Sequence, residues 1–104
     1  RRTQEFRGLG MTVYTMAHID VHDDEEYQKY ALLAGPAVEK FGGNFLARGG
    51  NSIVREGVGR KRNVIIEWPD MKTAQAFYDS PDYQLALAHG IPAADRDYLF
   101  VEGV

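Results

Sequence analysis

The side chains that could do chemistry in this sequence are few, and most fall in strand-like runs. In HIDVH, His18, Asp20 and His22 alternate. On one continuous strand all three would share a face, offering two imidazoles and a carboxylate to a metal. The strand pattern ends near Asp20, however, and His22 and Asp23 fall where a helix should begin. The three side chains then diverge, and neither a metal nor a cofactor is expected.

Glu67 is the sharper candidate. It lies between Ile66 and Trp68 in NVIIEW, and a carboxylate on a central strand must be paired, hydrogen-bonded or protonated. Trp68, beside Pro69, should pack under helices, which turns Glu67 to the opposite side of the sheet. In the first strand Val13, Thr15, Ala17, Ile19 and Val21 are the smaller set and suit the helix-covered face. Tyr14, Met16, His18 and Asp20 then share the other face with Glu67. Arg48, just ahead of a diglycine, can point the same way, the bulge leaving its register open. The catalytic candidates are therefore Glu67 and His18 as proton carriers and Arg48 as anion holder, with Tyr14 and Asp20 as ligand contacts. Opposed acidic and basic groups of this kind make proton-transfer sites, and they equally make structural ion pairs.

Tyr27, Tyr30, Tyr78 and Tyr83 fall on inward helix faces. Each adds apolar area and one hydroxyl that wants a partner. As core residues they need no further role; as a group, Tyr30, Tyr78 and Tyr83 can wall a pocket between helices and sheet.

Other chemistry is excluded. The chain has no cysteine, which removes thiol catalysis and disulfides and fits a cytoplasmic location. The glycines of GGNFLARGGN flank a strand and do not open a helix after one, so they form no phosphate loop. A net charge of −3 gives no basic footprint for nucleic acid. No apolar run approaches the roughly 20 residues of a membrane span.

The elements that must hold these residues follow from periodicity. Residues 1–10, RRTQEFRGLG, are basic and poor in apolar groups; they are expected to be a tag remnant or disordered extension, with one domain over 11–104. Thr12 to Val21 reads as a strand. Asp23 caps a helix, with Glu26 at the capping-box spacing. Tyr27, Tyr30, Ala34, Val38 and Phe41 form its apolar face, with a kink or break expected at Gly35-Pro36 and an end at Gly42-Gly43. Asn44 to Arg48 is a short strand, continued past a diglycine bulge by Ser52 to Glu56, and Asn63 to Trp68 is the returning strand. Asp70 to Tyr78 is a helix. Ser80-Pro81 starts another that runs to about Ala88, with Gly90 and Pro92 ending it, and Asp97 to Glu102 is the last strand. The order βαββαβ is the split βαβ of the ferredoxin-like α+β fold, an antiparallel sheet with its helices on one face.

The uncovered face should alternate apolar with polar residues if water bathes it. Val64, Ile65, Ile66 and Trp68, and again Tyr98 to Val101, put apolar groups on both faces. Both faces are thus expected to be buried, the outer one by a second copy in a homodimer.

The first strand with HDDEEYQKY, the GGNFLARGG turn, VIIEWPDMKTAQAFYDSPDYQ and the terminal LFVEGV together resemble the "domain of unknown function 1330" family, over Met11 to Val104. That family is similar to the dimeric α/β-barrel superfamily, and the resemblance implies a barrel made from two facing sheets. It implies no single reaction, because such barrels host cofactor-independent oxygenases with aromatic-lined pockets, isomerases and non-enzymes. Where relatives tend to carry a basic residue on the last helix, this chain reads LALAHGIP, so no ligand contact is carried over from that position. The expected function is to bind or slowly transform a small organic molecule in a cavity lined by sheet polar groups and helix tyrosines. The alternative is a non-catalytic interaction protein whose ion pairs are structural.

Overall fold

A computed structural model describes residues 11–104; the extension expected at 1–10 lies outside the described residues. The elements run β1 (Val13–Val21), α1 (Asp24–Lys40), β2 (Asn44–Arg48), β3 (Arg62–Trp68), α2 (Met71–Asp79), α3 (Pro81–Ala93) and β4 (Ala94–Glu102). The strands form one antiparallel sheet in the order β2-β3-β1-β4. This is the ferredoxin-like arrangement.

Alternation along the strands decides which face the helices cover. On β1, Val13, Thr15, Ala17 and Ile19 are buried while Tyr14, Met16, His18 and Asp20 remain half-exposed. On β3, Val64, Ile66 and Trp68 point inward. Trp68 is 0% exposed and donates its Nε1–H to Thr15 Oγ1 at 2.9 Å, which satisfies its one polar atom inside the core. Phe77 of α2 packs on the indole with ring centroids 4.7 Å apart.

The caps expected at Asp23 and Ser80 form, but the capping box is not closed, since the Asp23 N–H donates to the Ala93 carbonyl and Glu26 pairs with His89. The Asp23 side chain accepts from the Glu26 N–H at 3.1 Å, Asp70 caps α2 and Ser80 caps α3 ahead of Pro81. Three element boundaries differ from the sequence reading. The first helix runs unbroken through Gly35-Pro36. Pro36 deprives only the Leu32 carbonyl of its helical donor, and Leu32 is 68% exposed, so water can serve that carbonyl. Ser52 to Glu56 forms no strand, and 49–61 is an irregular loop. Its β-branched residues pair with no strand of the sheet, and Ile53 and Val58 stand in solvent. The bulge lies earlier, between Phe45 and Ala47.

The third difference concerns α3, which continues to Ala93 and passes directly into β4 at Ala94. Gly90 does not end the helix. A Cβ there would lie 2.7 Å from Tyr30 Cδ1, so the missing side chain lets α1 approach α3. The Ala93 carbonyl then accepts from both His22 N and Asp23 N, at 3.0 and 3.2 Å.

Candidate functional site

The extra residues of β3 and β4 change the chemistry of the helix-covered face. Strand alternation that buries Val64, Ile66 and Trp68 also turns Arg62 inward, and the alternation of Tyr98 and Phe100 does the same for Arg96. Arg48 joins them. The bulge in β2 sets Arg48 opposite Val64, on the helix side, and its guanidinium reaches toward Gly35 of α1, where an added Cβ would sit 2.9 Å from Nη2. The grouping of Arg48 with Glu67 is corrected: the extra residue at the bulge sets the alternation of the strand, which the sequence left open, so that Arg48 faces inward.

Together the three arginines and Tyr27, Tyr30, Tyr83 and Tyr98 surround a cavity of about 40 Å³ between sheet and helices. The rest of its lining includes Ala17, Ile19, Ala34, Val38, Val64 and Ile66. No aspartate, glutamate or histidine is among the residues that line it.

Arg96 is the centre of the polar part. Its Nη2 donates to Tyr30 Oη at 2.8 Å and to Tyr83 Oη at 3.0 Å. Those two hydroxyls bond each other at 2.9 Å. The guanidinium also lies over the rings of Tyr30 and Tyr98, 4.7 and 5.3 Å from their centroids. Burial works against the Arg96 charge, but the Tyr30 and Tyr83 oxygens outweigh it, and its pKa stays above the ordinary arginine range. Burial, and after it the neighbouring Tyr83, pushes the Tyr30 phenol well up; burial does the same for Tyr98. Both are therefore neutral phenols at physiological pH. Arg62 Nε, Arg96 Nε and Tyr98 Oη are buried without a hydrogen bond. The Tyr98 hydroxyl is near Thr15 and Tyr83 but bonds neither with good geometry.

The outer face holds the other sequence candidates, and it does not gather them. Glu67 stands opposite Tyr14 and His18 opposite Asn63, four residues further along the strand, or roughly 13 Å. Glu67 is half-exposed and has no ion pair or hydrogen bond among the described residues. His18 Nδ1 bonds Asn63 Oδ1 at 2.7 Å. Asp20 accepts from the Lys61 backbone N–H at 3.0 Å and pairs with Arg60 at 3.0 Å; the Lys61 bond first, then Arg60, holds its carboxyl below the usual range. Within one chain, then, Glu67, His18 and Arg48 do not form one site. Tyr14 lies half-buried on the outer face beside Gly103. Tyr30 and Tyr83 line the cavity, whereas Tyr78 packs behind them, 5.2 Å from Tyr83 and 5.6 Å from Tyr98 between ring centroids. No group of three or more metal-ligating side chains occurs among the described residues, and no helix among them is long and apolar enough to cross a membrane.

Residues 12–104 match the family described as "Domain of unknown function (DUF1330)". No curated protein matches the chain. Among solved structures, a protein of unknown function from Rhodopseudomonas palustris superposes with a TM-score of 0.75 at 18% identity, covering 100% of this chain and 95% of that one. SnoaB, a cofactor-independent oxygenase from Streptomyces nogalater, has a TM-score of 0.62 at 11% identity, over 91% of this chain and 95% of that one. A dimeric ferredoxin-like protein of unknown function from Thermobifida fusca has a TM-score of 0.57 at 18% identity, over 90% and 92% of the two chains. At these identities the likeness establishes the fold alone.

Proposed function

The chain belongs to the DUF1330 family, a membership that carries no reaction with it, and on the geometry we propose that it is a homodimeric protein that binds a small organic molecule between its sheet and its helices. The observation that supports this reading is the cavity itself. A core packed only for stability is apolar and leaves few buried polar atoms unpaired. Here four tyrosines and three arginines meet around open space, and three of their polar atoms lack partners. A mostly apolar hollow with a few convergent polar groups is how small-molecule sites are built.

The same lining favours binding over acid–base chemistry. It offers no carboxylate or imidazole to take a proton, and the Tyr30 and Tyr98 phenols are held neutral. A slow transformation in this site would rest on the cationic and hydroxyl donors alone, which stabilise negative charge as it develops.

Dimerisation through the outer sheet face completes the reading. Leu46, Leu99 and Val101 are 53%, 45% and 39% exposed there, and Met16 and Ile65 are half-exposed between them. In the dimer Glu67 and His18 lie in the interface, where the partner copy can supply what one chain does not. The test pairs two measurements on the purified protein. Light scattering should give about twice the 11.7 kDa chain mass. A screen of small organic molecules by amide NMR should shift resonances around Tyr30, Tyr83 and Arg96. A stable monomer defeats the dimer reading, and a screen that moves only surface resonances defeats the binding reading.

A further inference from the structure

The cavity has an excess of hydrogen-bond donors. Tyr30 and Tyr83 each accept from Arg96 and bond one another. One of their two hydroxyl protons makes that mutual bond, and the other is left without an acceptor among the described residues. The Tyr98 hydroxyl and the Nε–H groups of Arg62 and Arg96 are likewise unpaired. A guanidinium has no acceptor to offer in return.

Charge tells the same way. None of Arg48, Arg62 or Arg96 forms an ion pair with a carboxylate among the described residues. Arg60, by contrast, reaches both Asp20 and Asp97. This chain has a net charge of −3, with acidic groups enough to neutralise an inward arginine if neutralisation were the aim. Cation–π contacts to Tyr27, Tyr30, Tyr98 and Phe45 relieve part of the burial cost, but they bring no anion.

Resting on the reading of this cavity as a ligand site, we infer that its occupant is a short-chain aliphatic carboxylate, held at Arg96 and reached past Arg48 and Arg62. A carboxylate accepts and does not donate, which suits the surplus of donors. The alanine, valine and isoleucine side chains of the lining suit a short hydrocarbon end and give nothing to an inorganic anion that is polar all round. Size sets the upper limit. About 40 Å³ is room for the centres of roughly three waters, since one water needs about 10–15 Å³ on that measure. An acid of a few carbons fits; a polycyclic one does not. Arg48, the exposed member of the three, lies toward the solvent side, stacked 4.1 Å over Phe45.

The experiment titrates the full chain with butyrate, with butyramide and with inorganic phosphate at one ionic strength, following amide NMR shifts and thermal stability. Butyrate should saturate, shift resonances near Arg96, Tyr30 and Tyr83, and bind at least tenfold tighter than the isosteric butyramide. Arg96→Met should abolish that preference, bringing butyrate down to the affinity of butyramide. If that variant does not fold, Arg96→Lys, which keeps the charge but loses the fork of donors, should narrow the preference. Equal binding of acid and amide would overturn the carboxylate and leave the cavity a ligand site. Phosphate binding as tightly as butyrate at the same residues would overturn the choice of carboxylate over inorganic anion. If none of the three, nor any neutral molecule, moves the cavity resonances, the ligand site falls as well.

Discussion

Thr15→Val tests whether the core beneath the site has the polar economy described for it. Thr15 and Trp68 are both 0% exposed, and the Thr15 hydroxyl is the acceptor for the indole N–H at 2.9 Å. Valine copies the shape of threonine and removes the acceptor. The indole N–H is then stranded between β1 and Phe77, at a cost of about 1–3 kcal/mol for a buried donor left unpaired. The methyl that replaces the hydroxyl returns something on the order of 0.8 kcal/mol of apolar burial. The net loss should be about 0.2–2.2 kcal/mol, centred at roughly 1.2. With a urea dependence of about 1–3 kcal/mol/M for a domain of this size, that central value lowers the unfolding midpoint by roughly 0.4–1.2 M with an unchanged slope. Trp68 is the only tryptophan, so its fluorescence reports unfolding and the local change together. Thr15→Ser is the control: it keeps the acceptor and loses one methyl, for about 0.5–1.5 kcal/mol of packing. Both variants and the parent must be compared at one protein concentration, because dimerisation couples to stability. A Thr15→Val midpoint equal to or above the parent's would refute the reasoning, since the indole N–H would then not depend on Thr15.

Two further outcomes are expected. Tyr98→Phe deletes a buried hydroxyl that has no well-formed hydrogen bond, so in the absence of ligand it should be neutral or stabilising by up to about 1 kcal/mol; a clear loss in urea melts would show that the hydroxyl is satisfied in the free protein. The Asp70 carboxyl is held below its ordinary pKa, first by the Thr73 backbone N–H and then by the Thr73 side chain. Its contribution is present above the unfolded value and lost as pH falls through the folded one, so between about pH 5 and pH 3 Asp70→Asn, which keeps the capping acceptor without the titration, should lose stability less steeply than the parent. Equal slopes in urea midpoint against pH would contradict that assignment.

The fold was largely legible because its signals are local. Asp23, Asp70 and Ser80-Pro81 start helices by side-chain chemistry that needs no tertiary partner. The β1 alternation assigned both faces of that strand, and the structure agrees residue for residue from Val13 to Asp20. What failed depended on neighbours. Ser52 to Glu56 has strand composition but pairs with no strand of the sheet, and propensity without a partner does not make a strand. Gly90 reads as a helix stop until Tyr30 is seen to need the space it leaves. The site suffered most from boundaries. With strands begun at Asn63 and Asp97, Arg62 and Arg96 each fell one residue outside, although extending the inward alternation past Val64 and Tyr98 by two positions reaches both. The face of Arg48 stayed open for a different reason: the bulge between Phe45 and Ala47, which decides it, leaves no mark in NFLAR.

The direct passage from α3 into β4 has a mechanical consequence. Tyr83 rides on the helix, Arg96 and Tyr98 on the strand, and no flexible residue separates the two elements. The junction is fastened to the start of α1 by two hydrogen bonds at the Ala93 carbonyl, so these three side chains form one arm of a clamp with a fixed hinge. Tyr30, on α1, is tied to that arm by its hydrogen bonds to Arg96 and Tyr83, which leaves Arg48, on the sheet's edge strand β2, as a wall residue outside it. Of the polar wall of the cavity, the part carried by β2 therefore lies outside this hydrogen-bonded network, at the opposite edge of the sheet from the strand that carries Arg96.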